Sequence, residues 1–462
     1  MSQPTFKTVN LKPELLKNLE SLKYDSMTDI QAQSLPAIIE GRDVIAQGKT
    51  GSGKTAAFGL GLLNKLNVKR FRIQTLVLCP TRELADQVAT ELRKLARTIH
   101  NIKILTLCGG VPIGKQIDSL YHGAHIIVGT PGRIEDHLSR QTLDLSNVDT
   151  FILDEADRML EMGFQSAIDA IVNEMPTDRQ TLLFSATFPD KIEAISKRIM
   201  QKPVMVKVES GHDQSSISQH FYQVENNEDR YQALRLLLLQ HQPESSVVFC
   251  NTKAETQAVC DQLNRDGFSA LALNGDLEQR ERDQTLVQFA NKSISILVAT
   301  DVAARGLDVD NLDAVFNYQL AHDTEVHVHR VGRTGRAGNK GLACSFFSEK
   351  DNYKILLLTE LLDREIRGKA LPRPSVLERA IEPAKMATIQ IDGGKKQKVR
   401  AGDILGALTR DKDVQGQDIG KIQLFDNWAY VAVSRDKRKQ ALSKIANGKL
   451  KGRTFRARLL RN

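Results

Sequence analysis

Gly48-Lys49-Thr50-Gly51-Ser52-Gly53-Lys54-Thr55 and, further along the chain, Asp154-Glu155-Ala156-Asp157 are the residues whose types and spacing can do chemistry. The first string fits G-x-x-x-x-G-K-[ST], in which glycines let backbone N–H groups curl around phosphate oxygens. Its lysine reaches the outer phosphates and its hydroxyl holds Mg²⁺, roles that fall to Lys54 and Thr55. Val44-Ile45-Ala46 before it reads as a strand and Ala56-Ala57-Phe58-Gly59-Leu60 after it as a helix, the order this loop requires. The phosphates then rest on the helix N-terminus. Phe151-Ile152-Leu153 reads as a buried strand ending in two carboxylates, at the edge where open α/β sheets bind ligands. There Asp154 can hold Mg²⁺ while Glu155 polarises a water. A solvated acidic turn is the plain alternative, but it leaves unexplained why the pair follows a complete phosphate loop.

The chain that positions these groups has 462 residues, 41% of them apolar, enough for two or three domains. No apolar run is long enough for a membrane span, and Met1-Ser2-Gln3-Pro4 opens no signal segment. The five cysteines lack paired metal-ligand spacing. Cys79, Cys250 and Cys344 fall in apolar strand-like runs, which predicts buried thiols and a reducing cytoplasm. The net charge of +8 is unevenly spread: residues 384–462 carry 19 Lys and Arg against 7 Asp and Glu, whereas the other 383 residues carry 45 against 49. A tail at +12 on a body at −4 predicts a folded appendage that binds a polyanion.

Short apolar strands alternate with helix-length segments over 1–208, which predicts a parallel sheet. After the polar stretch at 209–216 the pattern restarts and runs over 217–368, a second α/β domain without a phosphate loop. It carries His329-Arg330-Val331-Gly332-Arg333-Thr334-Gly335-Arg336-Ala337-Gly338, where arginines at spacing three, threaded with glycine, suit a segment that neutralises phosphate charge. Leu371-Pro372-Arg373-Pro374 opens a linker, and 384–462 forms the basic domain.

Over residues 6–350 these motifs resemble the DEAD-box ATP-dependent RNA helicases. Thr28, Ile30 and Gln31, with Phe6 upstream, look like the segment that reads adenine. Pro80-Thr81-Arg82-Glu83-Leu84-Ala85 and Thr130-Pro131-Gly132-Arg133 look like strand-gripping motifs, and Ser185-Ala186-Thr187 like the segment that couples hydrolysis to unwinding. Gln279 with Arg282, the run from Ala299-Thr300-Asp301 to Asp308, and 329–338 complete the second domain's set. The resemblance implies two tandem RecA-like parallel-sheet domains, ATP and Mg²⁺ as cofactors, and RNA as partner. It implies that Phe6, Thr28, Gln31, Gly51, Ser52, Gly53, Lys54, Thr55 and Asp308 hold the nucleotide, with Thr55 and Asp154 on the metal. Lys54, Asp154, Glu155 and the fingers Arg333 and Arg336 become catalytic. Ser185 and Thr187 couple, and Arg82, Gly110, Thr130, Arg133 and Thr300 grip RNA. Met27 stands where many members have proline, and Gly48 where alanine is usual.

The tail reads βαββαβ: a strand at 388–391, a helix over 401–410, strands at 420–425 and 428–433, a helix over 437–446 and a last strand at 454–460. This α+β order resembles an RNA recognition motif. Period two puts Trp428 and Tyr430 on one face and Val431 and Val433 on the other, so those aromatics could stack on bases. Binding through the basic loop with Lys395, Lys396, Lys398 and Arg400 and through the basic final segment is an equal alternative. The tail also resembles that of a bacterial subgroup of these helicases that docks on a 23S rRNA hairpin in large-subunit assembly. The leading expectation is therefore a cytoplasmic, monomeric RNA helicase serving ribosome biogenesis. A general helicase of RNA decay or cold response, with a nonspecific tail, is the alternative within the class, and an ATP-gated RNA clamp the alternative outside it.

Overall fold

The computed structural model describes residues 4–48, 51–208, 217–304, 312–335, 340–411 and 413–460. In the first domain the strands are β1 (Val44–Gln47), β2 (Thr75–Leu78), β3 (Ile104–Leu107), β4 (Ile126–Gly129), β5 (Thr150–Asp154), β6 (Gln180–Ser185) and β7 (Val204–Lys207). They form one parallel sheet in the order β3-β4-β2-β5-β6-β1-β7. Successive side chains enter opposite faces, as strand geometry demands. Val44, Ala46, Val77, Ile152 and Phe184 pack into one core, and Ile45, Leu76, Phe151, Leu153 and Leu183 into the other. Being apolar on both faces is what a parallel sheet covered by helices requires.

The second domain repeats the plan with β8 (Ile217–Gln223), β9 (Ser246–Cys250), β10 (Ala270–Leu273), β11 (Ile296–Thr300), β12 (Ala314–Asn317) and β13 (Gly341–Phe347). Their order is β10-β11-β9-β12-β13-β8, all parallel. All five cysteines are buried, in line with the sequence expectation for Cys79, Cys250 and Cys344. No helix among the described residues is long and apolar enough to cross a membrane.

The basic domain has β14 (Met386–Ile391), β15 (Ile419–Leu424), β16 (Ala429–Ser434) and β17 (Ala457–Leu459), with helices Ala401–Thr409 and Arg438–Asn447. Its antiparallel sheet runs β15-β16-β14-β17. Ile389, Ile391, Val431 and Val433 meet Ile404, Leu408, Ala441 and Ile445 across the sheet's helical face. The segment leading to it does not hang free: Leu371, Val376, Leu377 and Ile381 pack against the second domain's core. Backbone carbonyls of Ala380 and Gln240 accept from Gln242 Nε2 (3.2 Å) and Arg379 Nη1 (3.4 Å), closing the same contact.

His327 links this fold to pH. It lies in the helix Thr324–Val331, 1% exposed, its ring stacked on Phe221 at 6.0 Å. Burial, and secondarily the Arg330 guanidinium, lowers its pKa to about 4. The unfolded chain binds the proton near the ordinary 6.5 and the folded chain resists it until about 4. Stability present above pH 6.5 is thus lost as pH falls through that window, by about 3 kcal/mol. Urea titrations of the parent and of His327→Gln should show the parent alone carrying this acid-dependent loss; equal slopes for both would refute it.

Candidate functional site

The parallel sheet of the first domain sorts its functional residues by strand. The phosphate loop follows β1, and Asp154 and Ser185 end β5 and β6, three contiguous strands; Arg82, Gly110 and Thr130 follow β2, β3 and β4, the adjoining trio. The C-terminal edge therefore carries the residues expected to meet the nucleotide on one half and those expected to grip a strand on the other.

On the nucleotide half, Gly51 and Gly53 adopt φ of 82° and 93°, a region that glycine enters without strain. At Gly53 a side chain has no room either: a Cβ would lie 2.5 Å from Gln31 Nε2. That amide donates to the Gly53 carbonyl at 3.1 Å, while Gln31 Oε1 accepts from Thr28 N at 2.9 Å. Thr28 and Gln31 thus sit at the start of the helix Asp29–Ile39, directly against the phosphate loop. At Gly48 a methyl would meet Ile30 Cδ1 at 2.6 Å, so the end of that side chain would have to shift to admit alanine. Met27, buried, donates its N–H to the Pro4 carbonyl at 2.8 Å. Phe6 is 3% exposed and packs edge-on to Tyr24 in the core, so the structure gives it a packing role at the rim of this segment.

Lys54 is buried and its ammonium donates to the Gly48 carbonyl. Thr55 follows it in the first turn of the helix Lys54–Lys65. Asp154, at the end of β5, is 3% exposed, and burial pushes its carboxyl up to about 7 against the opposing pull of Lys54. A carboxylate and a threonine hydroxyl are oxygen ligands of the kind Mg²⁺ takes, and the Lys54 ammonium near Asp154 suits phosphate oxygens. Together with the glycine cradle, these residues fit ATP and Mg²⁺. Glu155 stands at φ 52°, left-handed for a non-glycine residue, strain of the kind that collects at active sites. Its amide donates to Asp154 Oδ1 at 3.1 Å.

Asp157, the last residue of the acidic string, braces the segment after β6. Its Oδ2 accepts from Ala186 N at 3.2 Å and from Thr187 N and Oγ1 at 2.9 Å each. The Ser185 carbonyl accepts from Gly48 N at 2.9 Å. Ser185-Ala186-Thr187 is therefore pinned both to the acidic segment and to the phosphate loop. Only tertiary structure could bring Asp157 and Thr187 together.

On the gripping half, Arg82 opens the helix Arg82–Leu95 and lies 3.7 Å from Asp86. Arg133 donates to the Val111 carbonyl at 2.9 Å and to Gln116 Oε1 at 3.0 Å. Gln116 in turn donates to the Cys108 carbonyl and meets His137 Nε2, both at 2.9 Å. This brace, which the sequence did not announce, holds the loop where Gly110 adopts φ 73°. Thr130 caps the helix Pro131–Ser139 next to it.

In the second domain, Arg330 is the organiser. It is 2% exposed and pairs with both oxygens of Asp301, Nε to Oδ1 at 2.6 Å and Nη2 to Oδ2 at 2.7 Å. It also donates to Asn251 Oδ1 at 2.8 Å and to the Gln319 carbonyl at 2.7 Å. The ends of β9, β11 and β12 are thereby tied beside Thr300. Gln279 donates to Asp283 at 2.8 Å, and Arg282 braces the Ala303 carbonyl at the same distance, steadying the turn after Thr300. Arg333 follows on the turn after the helix Thr324–Val331, its carbonyl accepting from Leu312 N at 3.1 Å. Asp308 and Arg336 lie outside the described residues, as do Lys49 and Thr50 of the loop.

In the basic domain, Lys395, Lys396, Lys398 and Arg400 are exposed on the loop after β14. That loop is fixed by Lys395 N and Lys396 N donating to the Phe425 and Asp426 carbonyls at 2.8 and 2.9 Å. Tyr430, by contrast, is fully buried and Trp428 partly so. The base-stacking face expected of them is not open in this arrangement.

Comparison with known families matches residues 28–195 to the DEAD/DEAH box helicase family and 229–338 to the helicase conserved C-terminal domain. Residues 388–459 match the DbpA RNA binding domain. The chain is 54% identical over 457 residues to ATP-dependent RNA helicase DbpA of Escherichia coli (strain K12), covering 99% of each. The chain belongs to the DEAD-box RNA helicases. As a DEAD-box helicase it is an ATP-dependent, RNA-dependent enzyme, with an added RNA-binding domain close to that of DbpA. It is also 40% identical over 386 residues to the DEAD-box helicase CshA of Bacillus subtilis (strain 168), over 84% of this chain and 77% of that one. Among solved structures, S. cerevisiae Dbp5 bound to RNA and ADP BeF3 superposes with a TM-score of 0.72 at 31% identity, over 80% of this chain and 95% of that one.

Proposed function

We propose that this DEAD-box helicase docks on 23S rRNA and uses ATP hydrolysis to remodel neighbouring short duplexes during large-subunit assembly in the cytoplasm, acting as a monomer. The observation that carries the reading is the match of residues 388–459 to the DbpA RNA binding domain within a chain alike over its whole length. Charge supports it, since the +12 tail sits on a body at −4.

In this reading Gln31 reads the adenine from its seat on the phosphate loop. Lys54 leaves the Gly48 carbonyl for the outer phosphates, and the loop amides from Gly51 to Gly53, with Ser52 among them, cradle the rest. Thr55 and Asp154 hold Mg²⁺, which when bound neutralises charge on the phosphates. Glu155 orients the attacking water, and Arg333 and Arg336 neutralise the charge that develops on the phosphoryl group. Asp308 meets the ribose. Asp157 transmits the change at the acidic segment to Ser185 and Thr187. Arg82, Gly110, Thr130, Arg133 and Thr300 hold the RNA backbone, and Lys395, Lys396, Lys398 and Arg400 dock the rRNA element.

Competition between a 23S rRNA fragment and an arbitrary hairpin of equal length, at two salt concentrations, tests the partner. A purely electrostatic tail loses affinity with salt equally for all RNAs. The expected result is a preference for the 23S fragment that survives at the higher salt and collapses when Lys395, Lys396 and Lys398 are neutralised together. A ratio near one at both salts would favour a general RNA helicase instead.

A further inference from the structure

The first domain's sheet has an N-terminal edge, opposite the one that carries the motifs. Because its strands are parallel, the segments entering β2, β3, β4 and β5 meet there as neighbours. His125 N donates to the Lys103 carbonyl at 2.9 Å, Gln74 N to that of His125 at 2.9 Å and Asp149 N to that of Gln74 at 3.0 Å. Two aromatic side chains stand open to solvent at this edge: Phe71 is 52% exposed and Tyr121 90%.

Phe71 is exposed but not loose. Its ring lies on the bare backbone of Gly123, which turns at φ 69° and where a Cβ would fall 2.4 Å from Phe71 Cε1. It meets the His125 ring edge-on, with 4.8 Å between centres. His125 is itself buried and held on both sides. Its Nδ1 accepts from Lys103 N at 3.1 Å, so Nε2 carries the proton and donates to the Val68 carbonyl, also at 3.1 Å. Tyr121 ends the helix Ile113–Tyr121, two residues before Gly123. Charge collects beside these rings. Between Thr55 and Arg82 the chain holds no Asp or Glu but includes Lys65, Lys69, Arg70 and Arg72. Asp149 pairs with Lys65 at 3.6 Å and Arg70 at 3.8 Å, and Asp144 lies near Arg72, so four cations face two carboxylates.

We propose that this edge is a second binding site for single-stranded RNA on the first helicase domain, with bases stacked on Phe71 and Tyr121 and phosphates held by Lys69, Arg70 and Arg72. Stacking on an aromatic ring needs no particular base, and cations beside the ring suit the phosphates between successive bases. A ring fixed before RNA arrives loses little freedom on binding, which is what the seat on Gly123 and the contact with His125 provide. The excess of positive charge favours a polyanion over a protein partner. Since the edge lies across the sheet from Arg82, Gly110, Thr130 and Arg133, the RNA it takes is single-stranded chain flanking the segment expected to be gripped there. The site does not depend on the docking proposed for the basic domain.

The test is to irradiate the full-length protein with a thiouridine-substituted oligouridine and to map the adducts by mass spectrometry. Adducts are expected within 69–72 and 119–124, in addition to those on the basic domain. Phe71→Leu should cut the Tyr121 adduct roughly 5-fold or more, the loss that follows release of one stacked base, whereas Phe71→Trp keeps it. Arg70→Gln/Arg72→Gln should lower the same adduct and make what remains less sensitive to salt. Both arginines are exposed, so this variant tests the site even if leucine at 71 unseats the loop. An absence of adducts in both segments would overturn the inference and leave the patch to a protein partner. A Tyr121 adduct of equal yield in the parent, Phe71→Leu and the arginine variant would overturn it by showing that RNA passes this edge without being held.

Discussion

Glu155→Gln should hydrolyse ATP roughly 10²- to 10⁴-fold more slowly than the parent, the range associated with a positioned acid–base group, while nucleotide and RNA binding persist. The reason is local. Glutamine keeps the length and the left-handed backbone of residue 155 at φ 52°, and the amide contact to Asp154 is made by the main chain, so the proposed metal ligand is undisturbed. What disappears is the charge proposed to orient water. Lys54→Ala serves as the contrast, because loss of its buried ammonium should weaken nucleotide affinity itself. Steady-state turnover alongside equilibrium binding of a fluorescent ATP analogue distinguishes the two. Parent-like turnover by Glu155→Gln would show that another group orients the water.

The second large effect is expected at Arg333. Arg333→Ala and Arg336→Ala should each lower RNA-stimulated turnover by about 10³-fold or more, the scale attached to arginine fingers, with unchanged affinity for the 23S fragment. Arg330 is the control that gives this meaning. It belongs to the same sequence string but is buried against Asp301, and removing one partner of a buried ion pair costs about 3–5 kcal/mol. Arg330→Ala is therefore expected to fail by unfolding the second domain, seen in urea titration, whereas Arg333→Ala remains folded and fails at chemistry. Normal hydrolysis in both finger variants would mean that the second domain takes no part in phosphate chemistry.

The residues legible in the sequence were those whose function is written in contiguous strings. The phosphate loop, the acidic pair after β5 and the βαββαβ order could all be placed from type and spacing, because turn glycines, apolar strand runs and carboxylates at strand ends are local signals. The braces were not legible. Asp157 meets Thr187, Gln116 meets Arg133 and His137, and Gln31 meets Gly53 only after the sheet has aligned their loops, so nothing in either local segment predicts the other. The covered face was hidden for a different reason. Thr388 and Gln390 alternate with isoleucine and, though polar, are buried against Ser293 and Gln284, while Trp428 and Tyr430 on the same side read as a stacking platform. A polar face that pairs with a polar helix has the same pattern as one that pairs with water.

The packing of residues 371–381 on the second domain bears on how such an enzyme can be taken apart or recombined. By composition this stretch, rich in proline and arginine, reads as a spacer, yet Leu371, Val376, Leu377 and Ile381 are held by the second domain's core. It is inherited, in effect, with the motor and not with the appendage. A graft that joins a foreign RNA-binding module at residue 368 would uncover apolar surface around Leu238 and Phe268 and invite aggregation. The same graft made after Glu382 keeps that apolar surface covered, so the portable unit starts beside β14, close to residue 384 where composition places the basic domain.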